Sequence, residues 1–413
     1  MVTATDLLAR RKVLGPAYRL FYQEPFYPVR GEDVWLYDER GQRFLDAYNN
    51  VPVVGHCNAR VVAAMAEQAS VLCTHTRYLH HLILDYADRL LSRFPAELDQ
   101  LMLTCTGSEA NDLAIRIAEA VTGGRGIVVT HNAYHGVSHL LAQMSPSLAP
   151  ISSFVRTVTP PSSQASADEA ERFGREVADA FADLAQAGIR PCALIIDPVL
   201  ASDGIDLCAP DSLAPAVAAT HAAGALVIID EVQTGFARLG SQWWGFNQVG
   251  VRPDIVTMGK PMGNGYPIAG VVASADLVQQ FANKGRYFNT FGGNPVAVAA
   301  AMAVLDELET RQLPAQVDRV GAEIRQQFEQ RLAPLGVKAI RGEGLYWGIE
   351  MAADGRESGQ DRAIRVVNAV RAAGVLLNHC GPNGDVLKIR PPLTFNSEHA
   401  VLLTDSLVQA LNQ

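Results

Sequence analysis

Cysteine is scarce in this chain and follows no pattern. The six cysteines of 413 residues stand at 57, 73, 105, 192, 208 and 380 with no CxxC pair. No disulfide framework is indicated, and a reducing cytoplasm is the expected home. The opening MVTATDLLARRKVLGPAY has no apolar stretch of the kind a secretory signal needs. Long hydrophobic runs are missing too. The longest, 295–305, is too short for a membrane span and reads as a helix begun by Pro295. Ten histidines come without an HExxH or a clustered carboxylate set, which argues against a metal centre. Positive charge is in deficit: 34 Lys and Arg against 43 Asp and Glu give a net charge of -9. That balance argues against nucleic acid or an anionic membrane as the main partner and leaves room only for local basic pockets that take small anions.

What is present suits a layered, soluble enzyme. Hydrophobic residues make up 48% of a chain long enough for two or three domains, and no tandem repeat is visible. Residues 1–50 give a helical lead and a hairpin pattern, 33–37 and 43–46, around Asp38-Glu39-Arg40-Gly41. This piece is expected to pack with the C-terminal domain. Over 51–294 apolar strands at 155–158, 193–196, 226–229, 255–258 and 268–273 alternate with helical stretches. That is the pattern of an α/β domain whose mostly parallel sheet is covered on both faces. A loop at 159–168 precedes a helix with apolar Val177, Phe181 and Leu184. From 295 to 413 two helices, 295–309 and 315–332, lead into a strand-rich end, a smaller domain.

The chemistry concentrates at strand ends. Lys260 follows the run Ile255-Val256-Thr257-Met258, and Asp230 closes Leu226-Val227-Ile228-Ile229. An amine and a carboxylate at neighbouring strand tips are what pyridoxal phosphate requires: one forms a Schiff base, the other keeps the ring nitrogen protonated so that the ring draws electrons from the substrate. Ligands in such sheets gather at the strands' carboxyl ends. The flanking Gly259, Pro261, Gly263 and Gly265 let the backbone turn sharply beside the amine. Phosphate has a place at Gly107 and Ser108, where the strand Leu101-Met102-Leu103 turns into a helix carrying Leu113, Ile117 and Val121. Free N–H groups and the positive dipole end at a helix start favour a dianion, although Ser108 also fits a plain N-cap. Tyr134 follows the strand 126–130 and is placed to stack on a pyridine ring.

These segments, TGSEAN, AYHG, DEVQTGFAR, TMGKPMGNG and FNTFGGNP, occur in that order. Together they resemble the class III, or subgroup II, pyridoxal phosphate aminotransferases of fold type I, and the likeness covers nearly the whole chain. The resemblance implies a large domain with a mostly parallel seven-stranded sheet between helices, plus a smaller α/β domain built from the two chain ends. It implies Lys260 as the Schiff-base lysine and proton carrier, with Asp230 pairing to the ring nitrogen. Gln233 would bond the cofactor's phenolic oxygen, Gly107 and Ser108 would hold its phosphate, and Tyr134 would stack on the ring. Thr290 would reach the phosphate of a neighbouring subunit's cofactor. That last role needs a homodimer with shared active sites, or a tetramer built from it. The reaction implied is transfer of an amino group from an amine or amino acid donor to an oxo acid, with the cofactor passing through its pyridoxamine form. A binding protein that kept the fold is disfavoured by the intact Lys260, Asp230 and Gln233.

Substrate recognition is less uniform. Family members grip a substrate carboxylate with an arginine where Arg390 stands in Val386-Leu387-Lys388-Ile389-Arg390-Pro391-Pro392. Many also carry a glutamate after a Glu-Pro pair that neutralises this arginine. Here the stretch reads Ile196-Asp197-Pro198-Val199-Leu200-Ala201-Ser202-Asp203, so the acid is absent or displaced by one residue, and glutamate is in doubt as donor. The stretches Asn49-Asn50-Val51, Arg77-Tyr78-Leu79-His80, TMGKPMGNG and VLKIRPP also look like the branch holding the ethanolamine-phosphate and phosphohydroxylysine phospho-lyases. Elimination of phosphate and ammonia is therefore the alternative reaction, with Arg19, Arg77 and Lys388 as candidate phosphate ligands. Arg390 ranks transamination first.

Overall fold

The computed structural model describes residues 4–413. At its centre is a seven-stranded sheet in the order Gln100–Thr104, Ala269–Ala273, Ile255–Met258, Leu226–Asp230, Pro191–Ile196, Gly126–Thr130, Val155–Val158. Neighbours from Ile255–Met258 outward to Val155–Val158 pair in parallel. Ala269–Ala273 runs antiparallel to both of its neighbours. Only the loop 259–268 separates it from Ile255–Met258, too little chain for the crossover a parallel return requires. This is the α/β architecture of fold type I.

Both faces of the sheet are covered, which explains strands that are apolar throughout. Along Gly126–Thr130, Val128 packs in one core with Phe173, Val177, Phe181 and Leu184 of helix Ala167–Gln186. Ile127 and Val129 turn the other way, onto Leu113, Ala114 and Ile117 of helix Gly107–Thr122. Each large apolar side chain so buried contributes about 1.5–3 kcal/mol.

The chain ends meet in a four-stranded sheet, Pro28–Glu32, Trp35–Asp38, Arg43–Asp46 and Val375–Leu376, whose last pairing is parallel. A second, antiparallel sheet of four strands orders Val337–Glu343, Tyr346–Met351, Val386–Ile389 and Asn378–Cys380. Helices Pro295–Thr310 and Leu313–Arg331 connect the central sheet to it. The amide of Arg390 donates to the carbonyl of Ala47 at 2.8 Å, so the end of the Val386–Ile389 strand is pinned beside the N-terminal segment.

Candidate active site

Parallel pairing brings the two strand tips together. Asp230 lies opposite Thr257 in the register between Leu226–Asp230 and Ile255–Met258, and Lys260 follows three residues on. Both line one cavity of about 210 Å³, together with Gly107, Ser108, Tyr134, Gln233, Thr106, Asn111, His135, Gly136, Asp197 and Val232. Six of the nine residues singled out from sequence thus share one wall-to-wall space. A larger hollow of about 520 Å³ among Leu7, Leu8, Leu20 and Phe26 lies elsewhere, is apolar, and contains none of these groups.

Asp230 is buried and heavily bonded. Its Oδ2 accepts from Asn111 Nδ2 at 2.9 Å and from His135 Nδ1 at 2.8 Å, and its Oδ1 accepts from the Val232 amide at 3.0 Å. Asn111 is held in turn by Thr257 Oγ1 at 2.6 Å and also donates to the His135 carbonyl at 2.7 Å. Burial pushes this carboxyl up, but the bond and charge of His135, the Val232 amide and Lys260 outweigh burial and hold it below the ordinary carboxylate range. The group is therefore an anion at the cavity floor. His135 Nε2 is buried with no hydrogen-bond partner among the described residues.

Lys260 is tuned the opposite way. Burial, then the guanidinium of Arg390, press its ammonium down to about 8, with Asp230 and Asp197 pulling upward. A depressed lysine favours the neutral amine in the fold, and the neutral amine is the form that attacks an aldehyde. Addition of pyridoxal phosphate to the apo-protein should accordingly speed up with rising pH around a midpoint of about 8, read by stopped-flow absorbance. A midpoint at roughly 10.4, the value of a solvated lysine, would refute this tuning.

At the other end of the cavity helix Gly107–Thr122 begins. Thr106 is its N-cap, accepting from the Glu109 amide at 3.1 Å, while Glu109 Oε2 accepts from the Cys105 amide at 2.6 Å. The cap is thus Thr106 and not Ser108, whose hydroxyl instead accepts from the Val137 amide at 3.1 Å. Gly107 and Ser108, in the first turn of this helix, line the cavity, at the end of a helix where free N–H groups favour an anion. A Cβ on Gly107 would come within 2.8 Å of Val232 Cγ1, so glycine is needed for strand end and helix start to close up.

Gln233 links this cavity to Arg390. Its Oε1 accepts from Arg390 Nη1 and, at 3.1 Å, from Tyr346 OH, which leaves its amide NH2 as the group available to a ligand. Arg390 is buried, donates from Nε to the Tyr48 carbonyl at 3.0 Å, and lies over the Tyr48 ring at 4.6 Å. It forms no ion pair with a carboxylate among the described residues. Asp203, the displaced acid, is turned away: it accepts from Thr130 Oγ1 at 2.7 Å and the Asn132 amide at 2.9 Å. No switch acid therefore faces Arg390.

Arg77 and Thr290 are not in this cavity. Both are exposed, and the Arg77 guanidinium packs 3.6 Å from the Phe288 ring centroid. Sequence reasoning missed Asn111, His135, Asp197 and Val232 as cavity residues. The first two lie inside the quoted TGSEAN and AYHG segments, but their polar side chains carry no local sign of burial beside Asp230.

The family model for aminotransferase class-III matches residues 21–411. A phospholyase from Arthrobacter, solved with phosphoethanolamine, shares 41% identity with a TM-score of 0.95, covering 99% of this chain and 100% of that one. An ethanolamine-phosphate phospho-lyase homolog of Caenorhabditis elegans is 35% identical over 98% of this chain and 93% of its own length. An alanine–glyoxylate aminotransferase 2-like protein of Drosophila melanogaster is 34% identical over 95% and 83%. The chain belongs to the class III aminotransferase family and is a pyridoxal phosphate-dependent enzyme. No helix among the described residues is long and apolar enough to cross a membrane.

Proposed function

We propose that this enzyme moves the amino group of a small donor carrying an anionic group to an oxo acid. Bound pyridoxal phosphate supplies the electron sink that acidifies the substrate's α C–H bond. Lys260 would hold the cofactor covalently and, as a free amine, would take and return the proton of the substrate's α C–H bond. Asp230, fixed by His135 and Asn111, keeps the ring nitrogen cationic. Gly107 and Ser108 would receive the phosphate, Tyr134 would flank the ring, and the Gln233 amide would bond the phenolic oxygen. Thr290 and Arg77 serve the site of a second copy, a role supported by their exposure and by exposed apolar neighbours, Leu79 and Phe291. The working molecule is then a homodimer with shared sites, divided into 51–294 and a smaller unit of 1–50 with 295–413, and six free cysteines suit a cytoplasmic home.

The observation that carries this reading is Arg390: a buried guanidinium whose partners, Gln233 and the Tyr48 carbonyl, are both neutral. Left without a counter-charge, it suits a substrate anion that is present in donor and acceptor alike. One observation favours a second reading, the likeness to the Arthrobacter phospholyase, which suggests elimination of phosphate and ammonia from an O-phosphorylated amino alcohol or amino acid. Purified holoenzyme decides between them. Given an amino acid, transfer predicts conversion of the bound cofactor to its amine form and return on adding oxo acid. Given phosphoethanolamine alone, release of inorganic phosphate with no amino transfer would replace the first reading by the second.

A further inference from the structure

We infer that Tyr346 is a positioning residue of the active site: its hydroxyl keeps the Gln233 amide turned toward the cavity when a substrate anion draws Arg390 away. This deepens the reading above and rests on its assignment of Arg390 to the substrate anion and of Gln233 to the cofactor. Strand pairing makes the contact. Trp347 lies opposite Ile389 in the antiparallel register of Tyr346–Met351 with Val386–Ile389, so one step further Arg390 comes opposite Tyr346, and opposite residues of such a pair share one face of the sheet. Both reach the same atom: Gln233 Oε1 accepts from Tyr346 OH at 3.1 Å and from Arg390 Nη1. One buried guanidinium fixes the backbone beside them. Arg238 donates from Nη1 to the carbonyl of Leu345, at 3.3 Å, and to that of Pro391, and the Leu345 amide donates to the Arg238 carbonyl at 3.1 Å. The residue just before Tyr346 and the residue just after Arg390 are thereby tied to the segment that carries Gln233.

Either donor alone would turn Oε1 away from the cavity and leave the NH2 to face it. The two differ in what else they must do. Arg390 spends Nε on the Tyr48 carbonyl at 3.0 Å, so a two-pronged grip on a carboxylate has to run across Nη1 and Nη2, and Nη1 is the nitrogen that Gln233 holds. Substrate and Gln233 therefore compete for it. Tyr346 has no second task. It is fully buried, and the bond to Gln233 is the one hydrogen bond of its hydroxyl among the described residues. Burial pushes that hydroxyl well above the usual phenol range, so it keeps its proton and stays a donor. Without it, an anion arriving at Arg390 would leave Oε1 with no donor and free the amide to turn, presenting an acceptor where the cofactor's phenolic oxygen needs an N–H.

Butanoate, a carboxylate with no amine to react, tests this by isothermal titration calorimetry of the holoenzyme. Tyr346→Phe keeps the ring and removes only the hydroxyl. It should weaken butanoate about tenfold, because binding now strips Oε1 of its last donor. In a Gln233→Met background, where there is no oxygen to strip, the same substitution should change the affinity less than about twofold. A loss below about twofold with Gln233 in place, or an equal loss in both backgrounds, overturns the inference, the latter marking Tyr346 as a packing residue. Arg390→Gln separates the two levels. If it weakens butanoate about tenfold or more while Tyr346→Phe does not, the role of Tyr346 falls and that of Arg390 stands. If Arg390→Gln changes butanoate less than about twofold, the underlying reading fails.

Discussion

Lys260→Ala lowers turnover by about 10³-fold or more while the protein still takes up pyridoxal phosphate. Loss of a positioned proton carrier alone costs roughly 10²–10⁴, and this substitution also removes the covalent attachment that makes exchange with a substrate amine fast. Binding persists because the other holding groups remain: the first-turn amides at Gly107 and Ser108, the Asp230 anion, and the Gln233 amide all line the same cavity. The measurements are steady-state turnover and equilibrium dialysis of the cofactor, with the visible spectrum reporting loss of the covalent link. A small primary amine added to the buffer should restore part of the rate, since deleting the side chain leaves space beside Asp230. Residual turnover within about tenfold of the native enzyme would remove Lys260 from its assigned role, whatever the binding data showed.

Much of this arrangement could be read from residues because strand ends and helix starts announce themselves locally. Apolar runs ending in Asp230 and before Lys260, and a glycine turn opening the helix at Gly107, are each signals within ten or so neighbours. Their meeting in one cavity follows from parallel pairing, which sends every strand's carboxyl end to the same edge. The reversed strand Ala269–Ala273 was not announced in this way; its direction follows from the shortness of 259–268, a length argument that periodicity does not contain. The bonds that hold Asp230 were also hidden, because Asn111, His135 and Thr257 are far apart in the chain and each alone looks like an ordinary polar residue. The same holds for the switch acid. Position 203 offered a carboxylate within one residue of the expected place, and only the fold shows it turned onto Thr130 and Asn132.

Asp230→Asn should lower kcat by about 10²–10³-fold and should change the shape of the pH profile. Opposite charges at contact attract by roughly 4 kcal/mol at an effective dielectric of 20, which converts to about three powers of ten in rate if the whole attraction serves the ring nitrogen. The substitution also has a structural cost. Every partner of Asp230 is a donor: Asn111 Nδ2, His135 Nδ1 and the Val232 amide. An asparagine amide nitrogen must face at least one of them, donor against donor, which costs about 1–3 kcal/mol of stability. The two effects separate by pH. If the lost charge matters through the pyridine, acid restores what the carboxylate supplied, so kcat of the variant should rise as pH falls from neutrality, whereas the native enzyme, whose Asp230 is held below the usual carboxylate range, gains nothing. Thermal melting followed in parallel reports the structural part. A loss that is the same at every pH and tracks a lowered melting temperature would place Asp230 in the framework with His135 and Asn111, and the cofactor's ring nitrogen would need another partner.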